Sequence, residues 1–258
     1  MPELPEVETI VRSLAPRLTG RHIVSAEILK QRIVRYSKHD VPGAVTGQRV
    51  REVTRHGKFI LIGLERGFLT IHLGMTGQLR FDSPITPHTR AIFQLDGAAL
   101  VYDDPRMFGS IEYSEATDRT DRLGPDALNS VLSPELLRRK APIKAVLLNQ
   151  SIFAGVGNIY ADESLFRAGI HPRRRADRIA APRASRLIQV VQEVLAEAVE
   201  HRGSSVSDYV DTEGRKGDFQ LRHRVYGRKG LPCLVCGTPL RKIVVAQRGT
   251  HYCPVCQR

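Results

Sequence analysis

The chain has 258 residues, enough for two domains of ordinary size, each with its own apolar core. Its 39 lysines and arginines against 27 acids give a formal net charge of +12, which argues against a cationic partner and for a polyanion, nucleic acid first among them. No stretch reaches membrane-spanning length, and the opening MPELPEVETI carries acids where a secretory leader would be basic and then apolar, so a cytoplasmic protein is expected.

Val7, Ile10, Val11, Leu14 and Leu18 recur at helical spacing and predict a helix over residues 3–18. Pro5 is tolerable in its first turn, Gly20 is a stop, and Pro16 predicts a kink or an early end. From residue 21 to residue 113 the pattern changes to short apolar runs (59–62, 68–73, 91–95, 100–102) broken by Gly, Asp and Pro, which reads as an antiparallel sandwich or barrel. A polar stretch over 114–130 marks a domain boundary. Helices are then predicted over 135–140, with Ser133 and Pro134 in cap and first-turn positions, and over 143–150, 158–167 and 184–201. Residues 203–230 have no sustained period and read as loop, and the chain shows no internal repeat.

All four cysteines lie in the last 26 residues, where they cannot staple the bulk of the chain. Cys233-x-x-Cys236 and Cys253-x-x-Cys256, sixteen residues apart, have the two-knuckle spacing of a four-cysteine site for one structural zinc ion (Zn2+). A redox pair is the alternative, but thiol exchange does not need two matched pairs. Four protein ligands leave no position open for water, so the metal should hold structure and not catalyse. The segment between the pairs, with Ile243-Val244-Val245 and a turn near Arg248-Gly249, suits a two-stranded hairpin.

Six segments in order, Pro2-Glu3-Leu4-Pro5-Glu6, His72-Leu73-Gly74-Met75-Thr76-Gly77, Asp104-Pro105-Arg106-Met107-Phe108-Gly109, Gly155-Val156-Gly157-Asn158-Ile159-Tyr160-Ala161, Val225-Tyr226-Gly227-Arg228 and the cysteine hairpin, resemble the formamidopyrimidine-DNA glycosylase (Fpg, MutM) branch of the Fpg/Nei family. The resemblance runs from residue 2 to residue 257. It implies an α+β multidomain fold: an N-terminal antiparallel β-sandwich with flanking helices over 1–115, a helix-two-turns-helix DNA-binding domain over 130–220 and a zinc finger over 222–258. It also implies a monomer acting on double-stranded DNA that contains a damaged base, excising oxidised purines (8-oxoguanine, formamidopyrimidines) and then cutting the strand by β,δ-elimination. Leu4 resembles the purine-repair branch; the endonuclease VIII branch usually has Gly there. A glycosylase for oxidised pyrimidines and a non-catalytic zinc protein that binds damaged DNA stay open as alternatives.

By the same resemblance the nucleophile is the amine of Pro2, exposed once Met1 is removed. An α-amino group, with a pKa of roughly 7.7–8.0 against about 10.4 for lysine, offers a far larger free-amine fraction near neutrality, and proline forms an iminium directly. Glu3 would move protons during base loss and ring opening. Glu6 either orients the amine or favours the helix dipole. Lys58, before an apolar strand, would contact a phosphate and assist elimination; by itself it reads as a strand-edge lysine. Arg248 would bind phosphates from a support made rigid by zinc. Asn158, on a Gly-rich turn opening a helix, Arg139 and His88 resemble DNA contacts, and Arg138, Lys140 and Lys144 add charge nearby. Met75, Arg106 and Phe108 match a wedge that fills the space of an extruded nucleotide, although Met75 and Phe108 would otherwise read as core. Met107 stands where a second arginine is common, and Asp218 where the family is often aromatic, within the loop that folds over the extruded base.

Overall fold

The computed structural model describes residues 1–117, 119–206 and 209–258, and the chain divides into two compact units: Met1–Arg122 with His201–Asp218, and Leu123–Glu200 with Phe219–Arg258.

The first unit opens on helix α1 (Leu4–Leu18), whose Leu4, Val7, Ile10, Val11, Leu14 and Leu18 are buried as their spacing predicts. Pro5 sits in the first turn. Pro16 does not end the helix, because the hydrogen bond it removes would go to the carbonyl of Arg12, on a face where both residues are exposed to water. Strands β1 (Ile23–Ile28), β2 (Val50–His56), β3 (Phe59–Leu64), β4 (Phe68–His72), β5 (Gln78–Phe81), β6 (Thr89–Leu95), β7 (Ala98–Asp103) and β8 (Ser110–Ser114) follow, with a short helix α2 (Val41–Val45) before β2. They form two four-stranded antiparallel sheets, ordered β1-β6-β7-β5 and β2-β3-β4-β8. One apolar core holds Ile60, Ile62, Leu69 and Ile71 from one sheet, Ala91, Phe93 and Leu100 from the other, and the apolar face of α1. This is a β-sandwich flanked by a helix.

His201–Asp218 belongs to this unit although it follows the longest helix of the other. The reason is polar anchoring on α1: Ser13 hydrogen-bonds Thr212, Arg17 pairs with Glu213, and Tyr209 enters the sandwich core.

The second unit holds α3 (Ile143–Leu148), α4 (Asn158–Arg167) and α5 (Ala181–Glu200), then the hairpin β9 (Arg241–Val245) and β10 (Arg248–Tyr252). Several boundaries differ from the periodic reading, and α3 stops at Leu148, two residues short of its predicted end. Residues 135–140 make only a 3-10 turn, Pro134–Leu137, with Ser133 capping it as expected; only Leu137 is buried, and Pro142 keeps Ala141 out of helical geometry. Helix α5 begins at Ala181, three residues early, with Pro182 in its first turn. The hairpin turns at Ala246-Gln247, both left-handed (φ 50° and 58°), so Arg248 opens strand β10 and does not sit in the turn itself. No helix among the described residues is long and apolar enough to cross a membrane.

Candidate active site and zinc centre

Glu3 is the N-cap of α1, in extended geometry, and makes a reciprocal capping box: its carboxylate accepts from the backbone of Glu6, and its own N–H donates to Glu6 Oε2 at 2.7 Å. Pro2, Glu3 and Glu6 are all buried. Glu6 therefore does more than favour a dipole. Its second oxygen, Oε1, accepts the N–H of Ser204 at 2.6 Å, so one carboxylate joins the start of α1 to the returning segment. Gly203 makes that approach possible, since its φ is 77° and a Cβ there would stand 2.5 Å from Glu6 Oε1.

Lys58 is the second residue of the two-residue turn between β2 and β3, after Gly57 at φ 57°. A lysine guarding a sheet edge would lie in water; Lys58 is 8% exposed. Its turn is tied to α1 by Arg55, which donates to Glu8 Oε2 at 2.8 Å and to the carbonyl of Gly57 at 2.9 Å. Burial would raise the Glu8 carboxyl, but hydrogen bonds from Arg55 and Arg12 outweigh it and hold the group below the usual range. The structure thus hangs Pro2, Glu3 and the Lys58 turn on one helix. His72, opposite Phe59 in the ladder, was not singled out by sequence. Burial first, then the charges of Arg119 and Lys58, pull its pKa down to about 4, and its Nδ1 accepts the N–H of Gly74 at 3.2 Å. It is a neutral imidazole that fixes the start of the Met75 loop.

Met75 and Phe108, which composition alone would assign to the core, are 43% and 42% exposed. Arg106 is exposed, its guanidinium 4.5 Å from the centre of the Phe108 ring. Met107, by contrast, is half-buried against the sandwich core, so an arginine is not what that position holds here. His88 is exposed on the loop before β6. Asp218 Oδ1 accepts from His201 Nδ1 at 2.8 Å, an ion pair when the imidazole is charged.

In the second unit Asn158 begins α4, and its amide donates to the carbonyl of Gly249, next to Arg248, at 3.0 Å. Lys144 does not contribute surface charge. It is fully buried, paired with Asp162 at 2.6 Å, and it donates to Thr250 Oγ1 at 2.8 Å; Asp162 Oδ2 in turn accepts the N–H of His251 at 2.8 Å. Arg248 is exposed at the head of a strand held from below by this pair. Arg139 is also exposed, and its carbonyl accepts the N–H of Asp177. Glu163, fully buried and likewise unmarked in the sequence, accepts the backbone N–H groups of Arg224, Val225 and Tyr226 at 2.8–2.9 Å and so shapes the segment leading into the cysteines. Lys144→Met, which strands the Asp162 charge, should cost about 3–5 kcal/mol in denaturant unfolding of this unit. Adding Asp162→Asn should recover part of that, and equal losses in the single and double variants would mean that the two charges do not compensate each other.

The four cysteine sulfurs all lie within 4.8 Å of one another, with Cys233–Cys256 at 3.9 Å and Cys236–Cys253 at 3.5 Å. An S4 tetrahedron around a metal at about 2.3 Å has edges of about 3.8 Å, so the donor set fits one zinc ion. The Val235 and Cys256 N–H groups point at Cys233 and Cys253 Sγ, further neutralising two thiolates.

Three family models match successive parts of the chain: the formamidopyrimidine-DNA glycosylase N-terminal domain over residues 1–111, the formamidopyrimidine-DNA glycosylase H2TH domain over 121–210, and the zinc finger found in FPG and IleRS over 230–258. The formamidopyrimidine-DNA glycosylase of Solibacter usitatus is 52% identical over 264 residues, covering all of both chains, and that of Thermus thermophilus is 46% identical, covering all of this chain and 98% of its own. The chain belongs to the formamidopyrimidine-DNA glycosylase family. The crystal structure of the Thermus thermophilus MutM (Fpg) protein superposes with a TM-score of 0.90, covering 99% of this chain and 98% of that one. A point mutant of the Lactococcus lactis Fpg, 34% identical, superposes at 0.91 in a complex with a Fapy-dG containing DNA, and the Lactococcus lactis Fpg at 0.90 with an abasic site containing DNA. As in the family's zinc finger, the four cysteines form a structural zinc site, which closes the hairpin that carries Arg248.

Proposed function

We propose that this protein is a bifunctional DNA glycosylase and abasic-site lyase of base excision repair, working as a monomer in the cytoplasm on oxidised purines in duplex DNA. The observation that carries the reading is the buried Pro2-Glu3 pair at the cap of α1, with the Lys58 turn bound to the same helix through Arg55 and Glu8. After removal of Met1, the Pro2 nitrogen attacks C1′; the N–C1′ bond forms, the glycosidic bond breaks, and the base leaves with a proton. Glu3 transfers protons to the sugar ring oxygen and from the amine as the ring opens to an iminium. The iminium acidifies C2′, whose proton is lost as the 3′ phosphate departs, and δ-elimination then expels the 5′ phosphate. Lys58 and Arg248 neutralise those phosphates, and His88, Arg139 and Asn158 hold the strand.

Met75, Arg106 and Phe108 occupy the space of the extruded nucleotide, a reading supported by their exposure in a unit whose other large apolar groups are mostly buried. Substrate choice is supported by the relatives named formamidopyrimidine-DNA glycosylases and by the Fapy-dG complex of the Lactococcus lactis enzyme. The test is borohydride trapping on a duplex with 8-oxoguanine opposite cytosine, followed by mass mapping. An adduct on Pro2 is the expected result. No adduct on this, on an oxidised-pyrimidine duplex or on an abasic duplex, with Met1 absent, would overturn the lyase; an adduct on the pyrimidine duplex alone would overturn the substrate class.

A further inference from the structure

Asp104 is fully buried between three loops that all lead to residues expected to meet DNA. Its Oδ1 accepts the hydroxyl of Thr76 at 2.6 Å, beside Met75. Its Oδ2 accepts the N–H of Gly109 at 2.8 Å, beside Phe108, and the Tyr102 hydroxyl at 3.2 Å. Its own N–H donates to the carbonyl of His88 at 2.9 Å, and its carbonyl accepts Arg90 Nε at 2.9 Å. The Gly74 backbone touches that of Gly109, where a Cβ on Gly74 would stand 2.5 Å from Gly109 N, and Gly77 and Gly109 close on the Tyr102 side chain, whose hydroxyl added Cβ atoms would meet at 2.6 and 1.8 Å. Arg35 adds a bond to the carbonyl of Met107 at 3.0 Å.

We propose that Asp104 is a positioning residue for lesion extrusion, a carboxylate clasp that makes the Met75 loop and the Arg106–Phe108 loop one stiff wedge. It rests on the wedge reading above. Unstacking a base step costs a few kcal/mol, and two loops that moved independently would add their own ordering entropy at the moment of insertion. A carboxylate accepting three donors at the root of both loops removes that cost in advance, while the side chains it aligns stay in water. The clasp touches neither the sugar nor the reacting amine, so its effect is confined to steps that need insertion.

The test uses full-length protein bearing Thr76→Val, which cuts one arm of the clasp with little change of volume, alongside Asp104→Asn, Thr76→Ser and Met75→Ala. Single-turnover excision is followed on an 8-oxoguanine duplex with 2-aminopurine beside the lesion to report insertion, and borohydride trapping is followed on a single-stranded abasic oligonucleotide, which needs no wedge. Thr76→Val and Asp104→Asn should slow duplex excision and the fluorescence change by about 10- to 100-fold, the range of one hydrogen bond to a charged acceptor, with single-strand trapping unchanged and Thr76→Ser near wild type. In a Met75→Ala background Thr76→Val should add much less. Equal losses on both substrates, or no loss on the duplex, would overturn the clasp. If Met75→Ala alone leaves duplex excision intact, the wedge itself is wrong, and a trapped adduct on Pro2 would still stand.

Discussion

Glu3→Gln should lower base release from an 8-oxoguanine duplex by about 10²- to 10⁴-fold, the usual contribution of one general acid–base group. The protein should stay folded, because a glutamine oxygen can still accept the N–H of Glu6 and the Glu6 arm of the capping box is untouched. A preformed abasic site presents its aldehyde without base loss, so trapping on that substrate should fall far less. Quench-flow excision and borohydride trapping on the two substrates, with a melting curve, separate these effects. Parallel loss of both activities with a lowered Tm would assign Glu3 to the cap alone, and unchanged base release would remove it from the chemistry.

Removal of zinc should have the second large effect. Binding of a structural zinc by four thiolates is worth about 10–16 kcal/mol, and the cluster it closes is small: Phe166, Val225, Cys233, Leu240 and Cys253, with Cys256 beside them. That cluster includes three of the ligands, so beyond the β9–β10 ladder and the bonds of β10 to Lys144 and Asp162 the hairpin depends on the metal. A strong chelator, or Cys253→Ser, should release one equivalent of zinc, unfold the hairpin and abolish tight duplex binding through Arg248. The sandwich of the first unit has its own core and should keep its unfolding transition. Full duplex affinity in metal-free protein would show that the hairpin stands without its metal.

The elements with a strong period were legible in the sequence. Helix α4 begins and ends at the predicted residues, α1 buries the predicted stripe, and the cysteine pairs meet at one point because their spacing leaves them little choice. Polar partnerships were not legible. Lys144 with Asp162, Glu6 with Ser204 and Arg55 with Glu8 join residues 18, 198 and 47 positions apart, and such pairs leave no periodic trace. Lys144 in particular follows closely on Arg138-Arg139-Lys140 and shares their charge, yet only the fold turns it inward. Met75 and Phe108 mislead in the opposite sense: apolarity predicts burial, and only the loops braced by Asp104 keep them in water.

The passage of the chain through the two units sets an order on its synthesis. The first unit begins at Met1 but is closed only by His201–Asp218, after the helices of the second unit have been made. At about 5–20 residues per second, Gly203 leaves the ribosome some 10–40 s after Pro2. During that interval Glu6 has no Ser204 to accept, and the start of α1 is unsealed. On the mechanism proposed above, which needs the Pro2 amine, excision of the initiator methionine would fall in this window, and molecules that folded before it would carry a blocked amine.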